Sequence, residues 1–210
     1  MSNLTIQFMK RIALILFVGI FITAGGSLFA QKLKSGSFSD LKGQTLVNLQ
    51  YDYSNMAVGK YKKEEDYVNK RVADMNKKEA GTGDNWAIAW VNDRTSRFHP
   101  MFEKNFNGVA DNCGFSGKEG ADAKYTLIIK TVFTEPGYNI GVSRMNAYID
   151  MVVDLVETAN PSVVLGSCEY SKIQSVNMQG YDFDTGLRIQ SCYDRAGDNI
   201  AKFLCKTLSK

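Results

Sequence analysis

The only histidine of the chain, His99, and its four cysteines, Cys113, Cys168, Cys192 and Cys205, are the residues from which metal or nucleophile chemistry would have to be built. A lone imidazole excludes a His-rich zinc site or a two-histidine metal centre within one chain. Set between Phe98 and Pro100, His99 reads as the lead-in to a helix. Pairing it with Cys113 would satisfy the need of a thiolate for a nearby base, yet no protease signature surrounds Asn112-Cys113-Gly114. Asp184-Thr185-Gly186 matches the aspartic-protease triplet, in which two carboxylates share a proton. At the head of the last expected helix, Asp184 is better suited to capping it. Asp182 and Asp184 also open like a calcium loop, but Leu187 stands where the sharp-turn glycine belongs and no Glu follows at the twelfth position. Gly81, Gly83, Gly137 and Gly141 fit neither phosphate-binding spacing. No catalytic, cofactor-binding or metal-ligating residue is assigned. Trp86 and Trp90, four apart, are read as core aromatics and kept as candidate binding aromatics should they stand exposed side by side.

The elements that must position these residues follow from periodicity. Three strand patterns lie between Lys124 and Ser175 with little room for a helix between them. In the first, Tyr125, Leu127, Ile129 and Phe133 share one face; in the second, Ala147, Ile149, Met151, Val153 and Leu155 do, with Asp150 and Asp154 on the wet side. Asn160-Pro161 is expected to end the second strand, because proline cannot donate to a ladder, and the third restarts at Val163 as its antiparallel partner. Gly166 breaks the alternation and reads as a bulge, which leaves the faces of Cys168 and Tyr170 open. Earlier, Thr45 to Tyr53 alternates as a first strand, and Glu64 to Lys78 turns to helical spacing with acids first and lysines last. A short helix capped by Asp84 carries Trp86 and Trp90, and a third opens at Pro100 with Phe102, Phe106 and Val109 inward. The last helix, Leu187 to Leu208, carries the stripe Ile189, Tyr193, Ala196, Ile200, Phe203 and Thr207, with Gly197 permitting close approach. The expected fold is α+β: a two-layer sandwich with a mixed, mostly antiparallel sheet of about four strands, helices on one face, in the order β-α-α-α-β-β-β-α.

Lys10-Arg11 followed by an apolar run and Ala30 reads as a signal peptide over residues 1–30, with residues 31–42 a flexible lead-in and 43–210 a single domain. The run is short for a membrane span, and no cysteine near residue 30 offers a lipidation site. Met9 is a possible alternative start. Removing the signal takes two of the 25 basic residues and none of the 22 acidic ones, so the remaining chain is close to neutral. Such a balance gives no reason to expect nucleic acid. An even number of cysteines in an exported chain suits disulfides. Cys192 and Cys205 on one helix stand about 20 Å apart at about 1.5 Å per residue and cannot pair. Cys168 with Cys192 and Cys113 with Cys205 is the preferred set, and the swapped set is the alternative.

The antiparallel strands bearing VVDLVETANPSVVLGS, followed by a carboxy-terminal amphipathic helix, resemble the small α/β domains of Gram-negative envelope proteins. Examples are the amino-terminal domain of the Tol periplasmic protein and the curli-secretion and lipopolysaccharide-assembly lipoproteins. The resemblance covers about residues 43 to 208 and rests on element order. It implies an envelope assembly or binding role without catalysis, while the missing lipidated cysteine means that outer-membrane anchoring does not carry over. The expectation is an exported protein, periplasmic or extracellular, that binds or helps assemble a cell-envelope component. Its partner would be an unidentified envelope protein or surface component, with no nucleic acid, no cofactor and no membrane span after cleavage. The alternatives are an enzyme of hydrolase type and a surface protein that binds host molecules.

Overall fold

The computed structural model describes residues 30–176 and 183–209. The expected signal segment, apart from Ala30, and Asp182 therefore lie outside the described residues. In chain order the elements are β1 (Ala30–Gly36), β2 (Leu46–Asp52), β3 (Ala57–Val58), α1 (Glu64–Asn76), α2 (Thr82–Asp93), α3 (His99–Ala110), β4 (Ser116–Glu119), β5 (Tyr125–Glu135), β6 (Tyr138–Asn139), β7 (Arg144–Met145), β8 (Tyr148–Glu157), β9 (Asn160–Gln174) and α4 (Thr185–Leu208). A π-helical turn, Arg94–Phe98, joins α2 to α3 without a break.

The mixed α+β character agrees with the sequence, but the sheet has seven strands rather than about four. Their order is β1-β9-β8-β5-β2-β4, with β3 also beside β5. The expected element order is corrected with it. β5, β8, β9 and β1 pair antiparallel, whereas β2 runs parallel to both β4 and β5, and β3 parallel to β5. The helical stretch α1–α2–α3 between β2 and β4 supplies the long crossover that a parallel pair requires. Residues 31–42 are not a loose lead-in. β1 lies along β9 with Gln31 opposite Tyr170 and Leu33 opposite Cys168, and Phe38 and Leu41 just after it are 1% exposed. All of β1's own side chains are exposed, so it has no buried face to advertise it by periodicity.

Bulges change two face assignments. The β5–β8 register shifts between Thr131 and Phe133, which turns Phe133 to the outer face, where it stacks on Tyr148 at 5.5 Å, and brings Thr134 inward. The β8–β9 register shifts next to Gly166, as the glycine suggested. There a Cβ would fall 2.3 Å from the carbonyl oxygen of Ser37, so the crossing of β1 requires glycine. Cys168 and Tyr170 both point inward and are fully buried. The hairpin turn comes before Asn160-Pro161: β8 ends at Glu157, which pairs with Asn160, and Pro161 sits exposed in β9. Asp154 is not on a wet face either. It is 5% exposed and is held by Lys130 Nζ at 2.7 Å and Ser167 Oγ at 2.5 Å.

The core lies between the inner face of the sheet and the pair α3–α4. Phe102, Phe106, Ile189, Tyr193, Ala196 and Ile200 meet Leu49, Leu127, Ile129 and Met151 there, all at 2% exposure or less. Gly197 brings α4 close to α3 rather than to the sheet, since a Cβ would lie 2.3 Å from the Phe102 carbonyl oxygen. Asp184 caps α4 as expected, accepting from the backbone N–H groups of Gly186 and Leu187. Asp84 does not cap α2; the helix begins at Thr82 behind Gly81, whose φ of 83° takes the left-handed turn.

Candidate functional site

β2 ends in Tyr51 and Asp52, both still paired with β5, Tyr53 follows, and α3 begins at His99, whose ring lies parallel to both tyrosines. The imidazole is 7% exposed and stacks on the Tyr51 ring at 3.8 Å. His99 Nδ1 lies 3.1 Å from Glu119 Oε2 at the end of β4, and Nε2 lies 3.1 Å from the Tyr53 hydroxyl. A carboxylate can only accept, so Nδ1 carries the proton and Nε2 accepts from Tyr53. Burial pushes the His99 pKa below its ordinary value, with Arg94 acting the same way, while Glu119 opposes both. Burial raises the Tyr53 phenol well above its ordinary range. The chain continues inward to Tyr193, which meets Tyr53 and hydrogen-bonds Thr131 Oγ1 at 2.6 Å. His99 is thus more than a helix lead-in: its backbone starts α3 while its side chain joins β2 to β4.

Two clefts flank this chain. One, of about 720 Å³, is lined by Tyr51, Asp52, Tyr53, Asn55, Lys63, Glu65 and Arg94 among others. Two of its charged groups hold each other: Glu64 accepts from Arg94 and, at 2.5 Å, from the Trp90 indole, and the Arg94 guanidinium lies 4.3 Å over the Tyr53 ring. The Ser54 N–H holds the Asp52 carboxyl below its usual range. The other cleft, of about 430 Å³, exposes the Glu119 side of His99 with Glu103 and Lys104. No cluster of three or more His, Cys, Asp or Glu side chains able to hold a metal ion occurs among the described residues.

The structure separates most of the other residues singled out from the sequence. Trp86 and Trp90 are 5.4 Å apart and packed with Tyr67, Trp90 at 8% exposure and Trp86 half-buried against the core. Cys113 forms a disulfide with Cys205, Cα–Cα 5.6 Å, which removes it as a nucleophile for His99. The other half of the preferred pairing is corrected: Cys168 and Cys192 are buried thiols. Cys192 sits against the backbone at Ser175, roughly 20 Å along β9 from Cys168 at about 3.3 Å per residue, far beyond disulfide reach. Asp184 pairs with Arg97 at 2.9 Å besides capping α4, and the neighbouring carboxylate, Asp93, is joined to it through the same guanidinium at 3.0 Å, an ion-pair bridge in place of the shared proton that a protease requires. Gly81 and Gly137 serve turns, each at positive φ.

Sequence reasoning passed over one feature. Between β5 and β8 the short ribbon β6–β7 stands apart as its own two-stranded sheet. Its Tyr138, Ile140, Val142 and Met145 are 42, 66, 95 and 41% exposed. The signal was present in the glycines at 137 and 141 bracketing alternating apolar residues, a hairpin pattern. At its base Arg188, 6% exposed at the start of α4, donates to the carbonyl oxygens of Pro136 at 3.1 Å and Gly137 at 3.3 Å.

Fold and site together define a mixed α+β sandwich with a buried histidine held between Tyr53 and an exposed Glu119 beside polar clefts, and an apolar hairpin projecting from one end of the sheet. No family model matches the sequence, and no curated protein matches it. Among solved structures, PelC from Paraburkholderia phytofirmans, crystallised as a dodecamer, is 10% identical over 80% of this chain and 96% of its own, with a TM-score of 0.38. A Xanthomonas campestris protein of the DUF330 family is 13% identical over 51% of this chain and 61% of its own, TM-score 0.35. A neuraminyllactose-binding hemagglutinin homolog from Helicobacter pylori is 14% identical over 84% of this chain and 89% of its own, TM-score 0.31. No property of these proteins is carried over to this chain.

Proposed function

We propose that this chain is an exported, periplasmic or extracellular, non-enzymatic module that binds or helps assemble a component of the cell envelope. The observation that carries the binding role is the β6–β7 hairpin, which holds Ile140 and Val142 in water at 66 and 95% exposure. Clustered apolar side chains on a projecting element mark contact surfaces. Export is supported by the signal-like residues 1–30 and by the Cys113–Cys205 disulfide, a bond that persists in oxidising compartments. The polar clefts support an enzyme less well. A general base works best with a pKa near the operating pH, whereas Asp52 is lowered and both nitrogens of His99 are already engaged.

Cell fractionation tests the reading. The protein is expected in the envelope fraction, and the Ile140→Ser/Val142→Ser variant is expected to shift toward the soluble exported fraction. Recovery of the wild-type protein from the cytoplasm, or identical partitioning of the two proteins, would overturn it.

A further inference from the structure

Where α2 ends and α4 begins there is a third cleft, of about 310 Å³. That volume stands at the lower end of the range for small-molecule sites, about 300–1,000 Å³. Asp93 and Arg97, four apart on one helical face, meet the head of α4 there. Arg97 Nε lies 3.0 Å from Asp93 Oδ1 and its Nη1 lies 2.9 Å from Asp184 Oδ2, so two carboxylates fix the guanidinium. Its Nη2 and Asp93 Oδ2 have no hydrogen-bond partner among the described residues. Burial raises the Asp93 carboxyl above its ordinary value against the pull of Arg97.

The floor of the cleft depends on Gly186. A Cβ there would fall 2.1 Å from Asp93 Oδ2 and 2.7 Å from Arg97 Nη1, so any larger residue pushes both side chains out of place. The walls are aromatic. Phe183 is 64% exposed and packs on no other ring among the described residues. Trp86 is half-buried, and its indole N–H, unlike that of Trp90, which donates to Glu64, has no partner among the described residues.

These groups select a ligand by charge and by shape. The charged residues of the cleft are Arg71, Arg97, Asp93 and Asp184, two of each sign, so neither an anion nor a cation finds uncompensated charge. A hydroxyl both donates and accepts. Neighbouring hydroxyls therefore match a guanidinium N–H and a carboxylate oxygen presented side by side. A pyranose ring carries such hydroxyls around its edge and C–H groups on its faces, and the face of an aromatic ring, which is electron-rich, suits those C–H groups. We propose that this cleft binds a neutral pyranose sugar, with its hydroxyls held by Arg97 and Asp93 and one face of its ring laid on Phe183. The proposal goes beyond the envelope reading and uses none of the hairpin residues, so fractionation and sugar binding fail separately.

Tryptophan fluorescence reads the cleft directly, because both tryptophans of the chain line it. Titration of the purified protein with methyl glucoside, methyl galactoside and N-acetylglucosamine is expected to change the emission with at least one of them, at a Kd of about 1 mM for so small a ligand. Gly186→Ala favours the helix while displacing Asp93 and Arg97, and is expected to weaken binding about tenfold or more with a thermal midpoint close to wild type. Phe183→Ser, at an exposed position, is expected to do the same. Tighter binding of cellobiose than of methyl glucoside would identify the ligand as part of a glycan chain, and equal binding as a single sugar; either upholds the proposal. No change in emission with any of the three sugars up to about 100 mM, wild-type binding by either variant, or tighter binding of glucuronate or glucosamine than of the neutral sugars overturns it. So does loss of sugar binding in Ile140→Ser/Val142→Ser, which would move the ligand to the hairpin.

Discussion

His99 is held on both sides by residues far away in the chain, Tyr53 and Glu119, and a substitution there tests the network directly. An unfolded histidine titrates near pH 6.5. Burial lowers the folded pKa below that value against the pull of Glu119, with Tyr51, Tyr53 and Arg94 the other groups facing the ring. As pH falls through about 6.5 the unfolded state takes up a proton that the folded state resists, so the contribution of His99 is full above that pH and declines below it. Thermal midpoints at about pH 7.5 and about pH 5.5 are expected to differ less in His99→Gln than in the wild type; an equal acid loss in both would show that His99 does not drive it. Glu64→Ala is expected to cost about 1–3 kcal/mol in urea unfolding, because it strips partners from the Trp90 indole and the Arg94 guanidinium together. None of these side-chain partners was legible in the sequence. The position of His99 at the start of α3 follows from Pro100 next to it, whereas what its ring touches depends on how β2 and β4 are brought together.

Helix α4 was legible almost to its ends, since its buried stripe repeats at helical spacing and Asp184 caps it. The edge strand β1 was not, for it buries none of its own side chains and is held by backbone pairing to β9. The bulge in β5 likewise escaped, because one unpaired residue shifts every later side chain to the other face without altering the composition. Two substitutions probe α4 on different grounds. Ile200 is 1% exposed, so Ile200→Asp buries an unpaired charge and is expected to unfold the domain or lower its midpoint far more than a surface change would; a midpoint within a few degrees of wild type would mean that this face is not against the core. Gly197→Ala should cost about 1–3 kcal/mol by overpacking, because the new methyl meets the Phe102 backbone, which cannot rotate aside.

At the scale of the whole molecule, the disulfide Cys113–Cys205 ties the end of α3 to the last turn of α4 across 92 residues of chain. It thereby encloses β4, β5, β8, β9 and most of α4 in one covalent loop. Chain entropy alone assigns a loop of this length about 4–5 kcal/mol, and measured values run from about 0 to 5 because strain and residual structure intervene. Cys113→Ala/Cys205→Ala is therefore expected to lower stability by several kcal/mol in denaturant titration without changing the sheet's circular dichroism, since α3 and α4 remain packed through Phe98 on Tyr193 and through Gly197. The two remaining thiols give an independent check. Burial raises the pKa of both, that of Cys192 beyond the range in which a thiolate forms under ordinary conditions. In the unreduced protein, alkylation is expected to leave Cys168 and Cys192 unmodified while folded and to label those two, and only those, once denatured. Non-reducing peptide mapping should return a single crosslinked peptide joining Cys113 to Cys205. A Cys168–Cys192 crosslink would mean that β9 and α4 pack in a different register, and four labelled cysteines would mean that the fold holds without its covalent tie.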